Sequence, residues 1–241
     1  MKAMILAAGD GTRLRPLTNN LPKVMVKIDG KPLLEHNINL ARQYGVRDII
    51  INVCYKAEQI MGYFQDGKKF GVSIIYSREE ALLGSAGGVK KVKKEFTEPF
   101  FLLYGDNLSN CNLKALLLAH KKNKTICTLA IFDKIKNKNI GIGGGRMLLN
   151  KDKTVRQFVE SGEKIGNLCN AGIYVLEPEI FKYIPSGKKY DFGKDVFPLL
   201  LRRNIKIGTY KLGKNEYLCG CDTMECYRQT QKFYDFNKNT I

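Results

Sequence analysis

The sequence has no tryptophan, only two histidines, and 23 acidic residues against 40 lysines and arginines. Nor does any apolar run approach the roughly 20 residues that a membrane span needs. The short apolar stretch at 4–8 is too brief for the core of a signal peptide. A cytoplasmic chain without a membrane partner is the resulting expectation. His36 and His120 both fall within helical patterns, with no cysteine or carboxylate at metal-ligand spacing, so they read as ordinary or hydrogen-bonded side chains. Seven cysteines, an odd number without an export signal, read as reduced thiols. Cys219, Cys221 and Cys226 cluster, but Cys-x-Cys plus one more is not a common zinc spacing, and no histidine is near.

At 241 residues, 44% hydrophobic and 26% charged, the chain can bury the core of one large α/β domain. The net charge of +17 raises the question of nucleic acid. The lysines, however, are scattered over 90–94, 121–124 and 134–138, with no interleaved aromatic stripe. They read as a solvated surface that also attracts phosphorylated metabolites, and no nucleic-acid partner is expected.

Apolar strands at 3–8, 48–53, 72–76 and 99–104 alternate with helical patterns at 32–44, 57–65 and 86–94. This rhythm predicts an α/β fold: a doubly wound, mostly parallel, Rossmann-like sheet with helices on both faces. The second half is more mixed, with strands expected at 125–132, 140–149, 155–160, 171–176 and 205–211, and helices at 192–202 and 224–236. We expect it to form a smaller mixed lobe packed on the first half, giving one domain over 1–241 divided near 122. Sheets of this kind bind ligands at the carboxyl ends of their strands. Gly9 follows the first strand and Gly105-Asp106 the fourth, so both loops should open on one rim.

The first strand stops in Gly9 and Gly11, followed by Thr12, Arg13, Arg15 and Pro16, and then Pro22-Lys23. Small residues that let backbone N–H groups approach, followed by fixed positive charge, suit a phosphate chain. A Walker loop would need G-x-x-x-x-G-K-[ST], which is missing, and a dinucleotide fingerprint would need glycine where Leu14 stands.

Residues 6–18 with Pro22, Lys23 and Met25 closely resemble the signature of the sugar-1-phosphate nucleotidyltransferases, L-A-A-G-x-G-T-R-L-x-P-L-T followed by P-K-x-M. The resemblance continues in separated blocks to about residue 227 and implies Mg²⁺-dependent synthesis of a nucleotide-activated sugar for polysaccharide biosynthesis. A nucleoside triphosphate and a sugar 1-phosphate would be the partners. It implies a nucleotide site of Leu6, Ala7, Ala8, Gly9, Gly11 and Thr12, with Arg13 on the β and γ phosphates and Lys23 on the α-phosphate. Arg13, Lys23 and Asp106 form the catalytic set, and Arg15 reads equally well as a surface salt bridge. Glu79, Leu83, Gly84 and Ser85, in E-E-A-L-L-G-S-A-G-G, would lie along the base and ribose, although Gly84-Ser85 also suits a helix start.

Asp106 resembles the family's first metal ligand, on a strand-end loop where an aspartate also serves turns. Asp222 is the expected second ligand, in G-C-D-T-M-E-C-Y rather than the common D-I-G-T-P-E-x-Y, and helix capping is its other reading. Gly141, Glu160, Asn170 and Gly172 resemble the sugar-phosphate contacts. Ser161 stands where F-x-E-K-P would have lysine, and Lys164 is the nearby substitute. GTP with a mannose- or heptose-type 1-phosphate is the expected pair, and a cytidylyltransferase, suggested by Asp222-Thr223, is the alternative. An inactive nucleotide-binding regulatory subunit is the rival from another class, motivated by Ser161 and the displaced carboxylate. Acetyltransferase activity is not expected, and a homo-oligomer is left open.

Overall fold

The computed structural model describes residues 1–161 and 165–237. Strand β1 (Ala3–Leu6) leads through a long loop to the hairpin β2 (Lys27–Ile28) and β3 (Lys31–Pro32), then helix α1 (Leu33–Gln43). β4 (Asp48–Val53), α2 (Ala57–Phe64), β5 (Ser73–Arg78), α3 (Gly84–Lys91) and β6 (Phe100–Tyr104) follow. These four long strands run parallel in the order β6-β1-β4-β5.

Their side chains alternate across the pleat. Ala3, Ile5, Ile49, Ile51 and Leu103 pack on one face against α1 and α2. Met4, Ile50, Phe100 and Leu102 pack on the other against α3 and the helical segments of the second half. Burial of both faces is why these strands read as unbroken apolar runs.

After β6 come β7 (Asn107–Ser109), α4 (Leu113–Asn123), β8 (Cys127–Asp133), β9 (Lys138–Ile140), β10 (Arg146–Leu149), β11 (Val155–Val159) and β12 (Leu168–Leu176). A π-helical turn (Phe192–Val196) then runs into α5 (Phe197–Arg202), followed by β13 (Gly208–Lys211), β14 (Tyr217–Gly220) and α6 (Met224–Asn237). The second half extends the same sheet: β12 pairs antiparallel with β6, and β8, β10, β11 and β13 follow outward. A second, three-stranded sheet, β7-β14-β9, carries α6 on a small core that includes Leu14, Leu108, Tyr217 and Phe233.

Several element boundaries differ from expectation. The stretch 140–149 is not one strand, because Gly141 and Gly143 to Gly145 break it into β9, a loop and β10. The short strands β7 and β14 were not anticipated, because three- or four-residue strands carry too few alternations to register, and α4 was foreseen only as a helical pattern around His120. β12 begins three residues early, and its pairing with β8 shifts register between Asn170 and Tyr174. Among the described residues no helix is long and apolar enough to cross a membrane.

Candidate active site

β1 and β6 end side by side, with Leu6 opposite Tyr104, and the Gly105 N–H donates to the Leu6 carbonyl at 2.9 Å. A Cβ at position 105 would stand 2.7 Å from that carbonyl, so only glycine lets the two loops leave the sheet together. This delivers residues 7–9 and Asp106 to one rim. Gly11 adopts φ 63°, and a Cβ there would come within 2.7 Å of Lys23 Cβ. The first loop thus closes directly over Lys23, and Thr18 Oγ1 fastens it by donating to the Gly11 carbonyl at 2.7 Å. Thr12 opens a short helical turn that buries Leu14 and leaves Arg13 pointing outward.

Lys23, 8% exposed, is the centre of the arrangement. Its Nζ lies 2.6 Å from Asp106 Oδ2 and hydrogen-bonds Asp222 Oδ1, while Arg13 Nη2 lies 3.2 Å from Asp222 Oδ2. Burial disfavours the ammonium, but the two carboxylates outweigh it and hold the Lys23 pKa above its ordinary 10.5. Asp222 does not cap α6. Thr223 does so, its Oγ1 accepting from the Cys226 N–H at 3.2 Å. Arg15 is exposed and makes no ion pair among the described residues, so its salt-bridge reading is not realised there.

Around this cluster lies a two-lobed cleft. The first lobe, about 330 Å³, has Leu6, Ala7, Ala8 and Gly9 at its base and Glu79, Leu82, Gly84 and Ser85 along one wall. The second, about 380 Å³, is lined by Arg13, Asp222, Gly141, Glu160, Asn170 and Gly172. Tyr104 and Asp106 line both. Leu83, expected along the base, faces a different groove behind α3, and its neighbour Leu82 takes the place in the cleft. Gly11 and Thr12 shape the loop rather than line either lobe.

Glu79 is buried beneath the first lobe. One carboxylate oxygen accepts from Asn52 Nδ2 at 2.8 Å, the other from the Leu83 N–H at 2.9 Å, and Asn52 Oδ1 accepts from the Ala7 N–H at 2.8 Å. Its place is therefore structural as well as lining: it fixes the glycine loop relative to α3. Ser85 anchors the opposite wall. Its N–H and Oγ both donate to Asp191 Oδ1, at 3.2 and 3.1 Å, and its Oγ accepts from the Phe192 N–H at 2.9 Å.

In the second lobe, Gly172 at φ 69° lets the bulged β12 pass Tyr104, whose ring a Cβ would approach to 3.0 Å. Asn170 Oδ1 accepts from the Gly172 N–H at 3.0 Å and its Nδ2 donates to Tyr174 Oη at 2.6 Å. Gly141, at φ 62°, lies against Cys226 of α6. Glu160 keeps Oε2 buried without a hydrogen-bond partner among the described residues. Burial, then Asp191, raises its pKa above 4.5, and Lys194 partly offsets them. Lys164 lies outside the described residues.

Asn52, Tyr104 and Lys189 enter the cleft without having been read from the sequence, and Asp191 and Lys194, in the Y-D-F-G-K-D stretch that resembles a family segment, line it as well. Asn52 carried one available signal, a polar residue inside the apolar run 49–53. Tyr104 is held neutral, its hydroxyl pushed by burial to about 12. The two histidines are structural: His36 Nε2 pairs with the Ile28 carbonyl at 2.9 Å, and His120 with Thr128 Oγ1 at 2.9 Å and Glu177 at 3.0 Å.

Magnesium takes one or two carboxylates and completes its shell with phosphate oxygens and water. Asp106 and Asp222, already gathered about one ammonium beside the cleft, supply a donor set of that kind. Among the described residues no group of three or more His, Cys, Asp or Glu forms a fuller cage.

The chain is similar to known proteins in sequence and in fold. A family profile described as nucleotidyl transferase matches residues 2–215, ending before Asp222. The chain is 40% identical over 216 residues to a UTP–glucose-1-phosphate uridylyltransferase from Synechocystis sp., covering 83% of this chain and 55% of that protein. It is 36% identical over 213 residues to a mannose-1-phosphate guanyltransferase from Pichia angusta, covering 84% and 56%. The chain spans about half the length of the curated relatives it matches. In fold it is similar to HddC from Yersinia pseudotuberculosis, solved in complex with GMP-PN, with a TM-score of 0.79 at 24% identity over 97% of this chain and 99% of that one.

Proposed function

The chain belongs to the nucleotidyl transferase family, and on that premise we propose that it transfers a nucleoside monophosphate from a nucleoside triphosphate to a sugar 1-phosphate. The sugar phosphate oxygen bonds to the α-phosphorus, the bond from that phosphorus to the bridging oxygen breaks, and pyrophosphate leaves with that electron pair. The acceptor is already an anionic nucleophile, so the protein need only align three phosphorus-bearing groups and neutralise them.

One observation carries this reading: Arg13, Lys23, Asp106 and Asp222 converge where the two lobes meet. In this reading the first lobe takes the nucleotide and the second the sugar, so residues up to about 122 serve mainly the nucleotide and later ones mainly the sugar phosphate. Lys23 then reaches the α-phosphate and Arg13 the leaving phosphates. Asp106 and Asp222 would hold Mg²⁺, which supplies further neutralisation of polyphosphate charge when bound. The same convergence argues against an inactive regulatory subunit, because a protein relieved of turnover has no need of it.

Our first substrate pair is GTP with a mannose- or heptose-type 1-phosphate, in keeping with the guanyltransferase relative. UTP with glucose 1-phosphate is the second, favoured by the 40% identity to the uridylyltransferase. Cytoplasmic action in nucleotide-sugar synthesis, without a nucleic-acid partner, belongs to the same reading. The test is pyrophosphate release from GTP, UTP, CTP, ATP and dTTP, each paired with mannose, heptose and glucose 1-phosphates in the presence of Mg²⁺. Release from one pair well above the others is the expected result. Nucleotide binding without release across the whole panel would sink the transferase reading in favour of the regulatory one.

A further inference from the structure

The first lobe has a wall that neither the glycine loop nor the carboxylate pair accounts for. Lys189 and Lys194 line it, and neither ammonium has an ion pair or hydrogen bond among the described residues. Their neighbour Asp191 accepts from Ser85 through Oδ1 and forms no ion pair with either lysine among the described residues. Two lysines that face a cleft without an ion pair suit an anion.

Lys194 sits on the π-helical turn (Phe192–Val196), and that turn is fitted to Glu160. Gly193 next to Lys194 has no room for a Cβ, which would press on both Glu160 carboxylate oxygens. Lys194 thus lines the first lobe, while its neighbour Gly193 packs on Glu160, the second-lobe side chain that keeps a buried unpartnered oxygen. The charge of Lys194 is felt at Glu160. Ser161, immediately after Glu160, brings no charge of its own. Arg13 and Lys23, by contrast, are paired with the aspartates.

We propose that Lys194 is the acceptor-phosphate residue of this protein: its ammonium binds the phosphate of the sugar 1-phosphate while Glu160 beside it takes a sugar hydroxyl. This rests on the transferase reading above. Placing the anion-binding group on the turn rather than on the strand that bears Glu160 makes recognition of the acceptor depend on how that turn packs.

The test is steady-state kinetics of pyrophosphate release with whichever pair the wild-type protein uses, comparing K194M, K194R and K164M. A charge-assisted hydrogen bond is worth about 1.5–3 kcal/mol, so K194M should raise KM for the sugar 1-phosphate about ten- to hundredfold. KM for the triphosphate should stay within about twofold, and K194R, which keeps the charge, should recover part of the loss. Lys194 is exposed, and unchanged thermal unfolding of the variants is expected. An unchanged acceptor KM in K194M, a loss confined to the triphosphate KM, or the acceptor loss appearing in K164M instead would each overturn the assignment. Absence of pyrophosphate release by the wild type from every pair would overturn the transferase reading itself, and the assignment with it.

Discussion

A single ammonium, Lys23 Nζ, joins side chains 83 and 199 positions away in the chain. Because its pKa is held above 10.5, it is fully charged at any pH where the protein would work. K23M should lower turnover by about two to three powers of ten, the usual consequence of losing one preorganised electrostatic contact. K23R should not restore the rate, because the larger planar guanidinium has little room where the compact, buried ammonium sits. Pyrophosphate release at saturating substrate measures both.

Glu160 shows the opposite balance. Its pKa is raised above 4.5 by burial and by Asp191, so its charged form is less favourable in the folded chain than in the unfolded one. Below pH 4.5 the group is protonated in both states and costs nothing. As pH rises, the unfolded chain releases its proton first, and the folded state bears a penalty that is complete above its own raised pKa. E160Q should therefore unfold at a higher temperature than wild type at pH 7, and the difference should vanish below pH 4.5. Scanning calorimetry at the two pH values decides it, and acceptor KM should rise in the same variant.

Among the elements, the α3 start explains why the wall of the first lobe was only partly legible. The sequence 84–88 marks a glycine-rich helix start, but not what covers it. The Tyr190 carbonyl accepts from the Ala86 and Gly87 N–H groups at 2.9 and 3.0 Å, which brings in a segment a hundred residues later whose sequence gives no local hint of contact. Gly84 makes the approach feasible, having φ 73° and a would-be Cβ only 2.6 Å from that carbonyl. G84A should cost about 1–3 kcal/mol of stability, the range for an enforced left-handed residue. It should also raise KM for the triphosphate more than for the acceptor, since the wall it displaces belongs to the first lobe. Denaturant titration and the two KM values together check this; a stable variant with an unaltered triphosphate KM would detach α3 from nucleotide binding.

Across the whole molecule, legibility followed sequence distance. The glycine loop and Asp106 could be read because each follows a strand end and parallel strands of one sheet finish on one rim, whereas Lys23, on a short helical turn, was legible from the P-K-x-M resemblance. The second lobe is assembled from the loop between β9 and β10, Glu160 just after β11, the β12 bulge and the start of α6, so its glycines were readable as motifs but not as neighbours of Tyr104 or Cys226. Asp222 is the extreme case, since it reaches the cluster only because β14 pairs with β7, the strand that directly follows Asp106.

That pairing makes a comparison of the two aspartates informative. Asp106 meets Lys23 alone, whereas Asp222 divides its oxygens between Lys23 and Arg13. D106N should abolish Mg²⁺-dependent pyrophosphate release while leaving thermal unfolding nearly unchanged, because the side chain is about one-third exposed and its loop is fixed by Gly105. D222N should lose less turnover, require more Mg²⁺, and raise the triphosphate KM in addition, because Arg13 is released from its partner. Titrating Mg²⁺ against initial rate in both variants separates the roles. Near-normal rates in D106N would remove that carboxylate from the chemistry, and identical profiles in the two would show that Arg13 does not depend on Asp222.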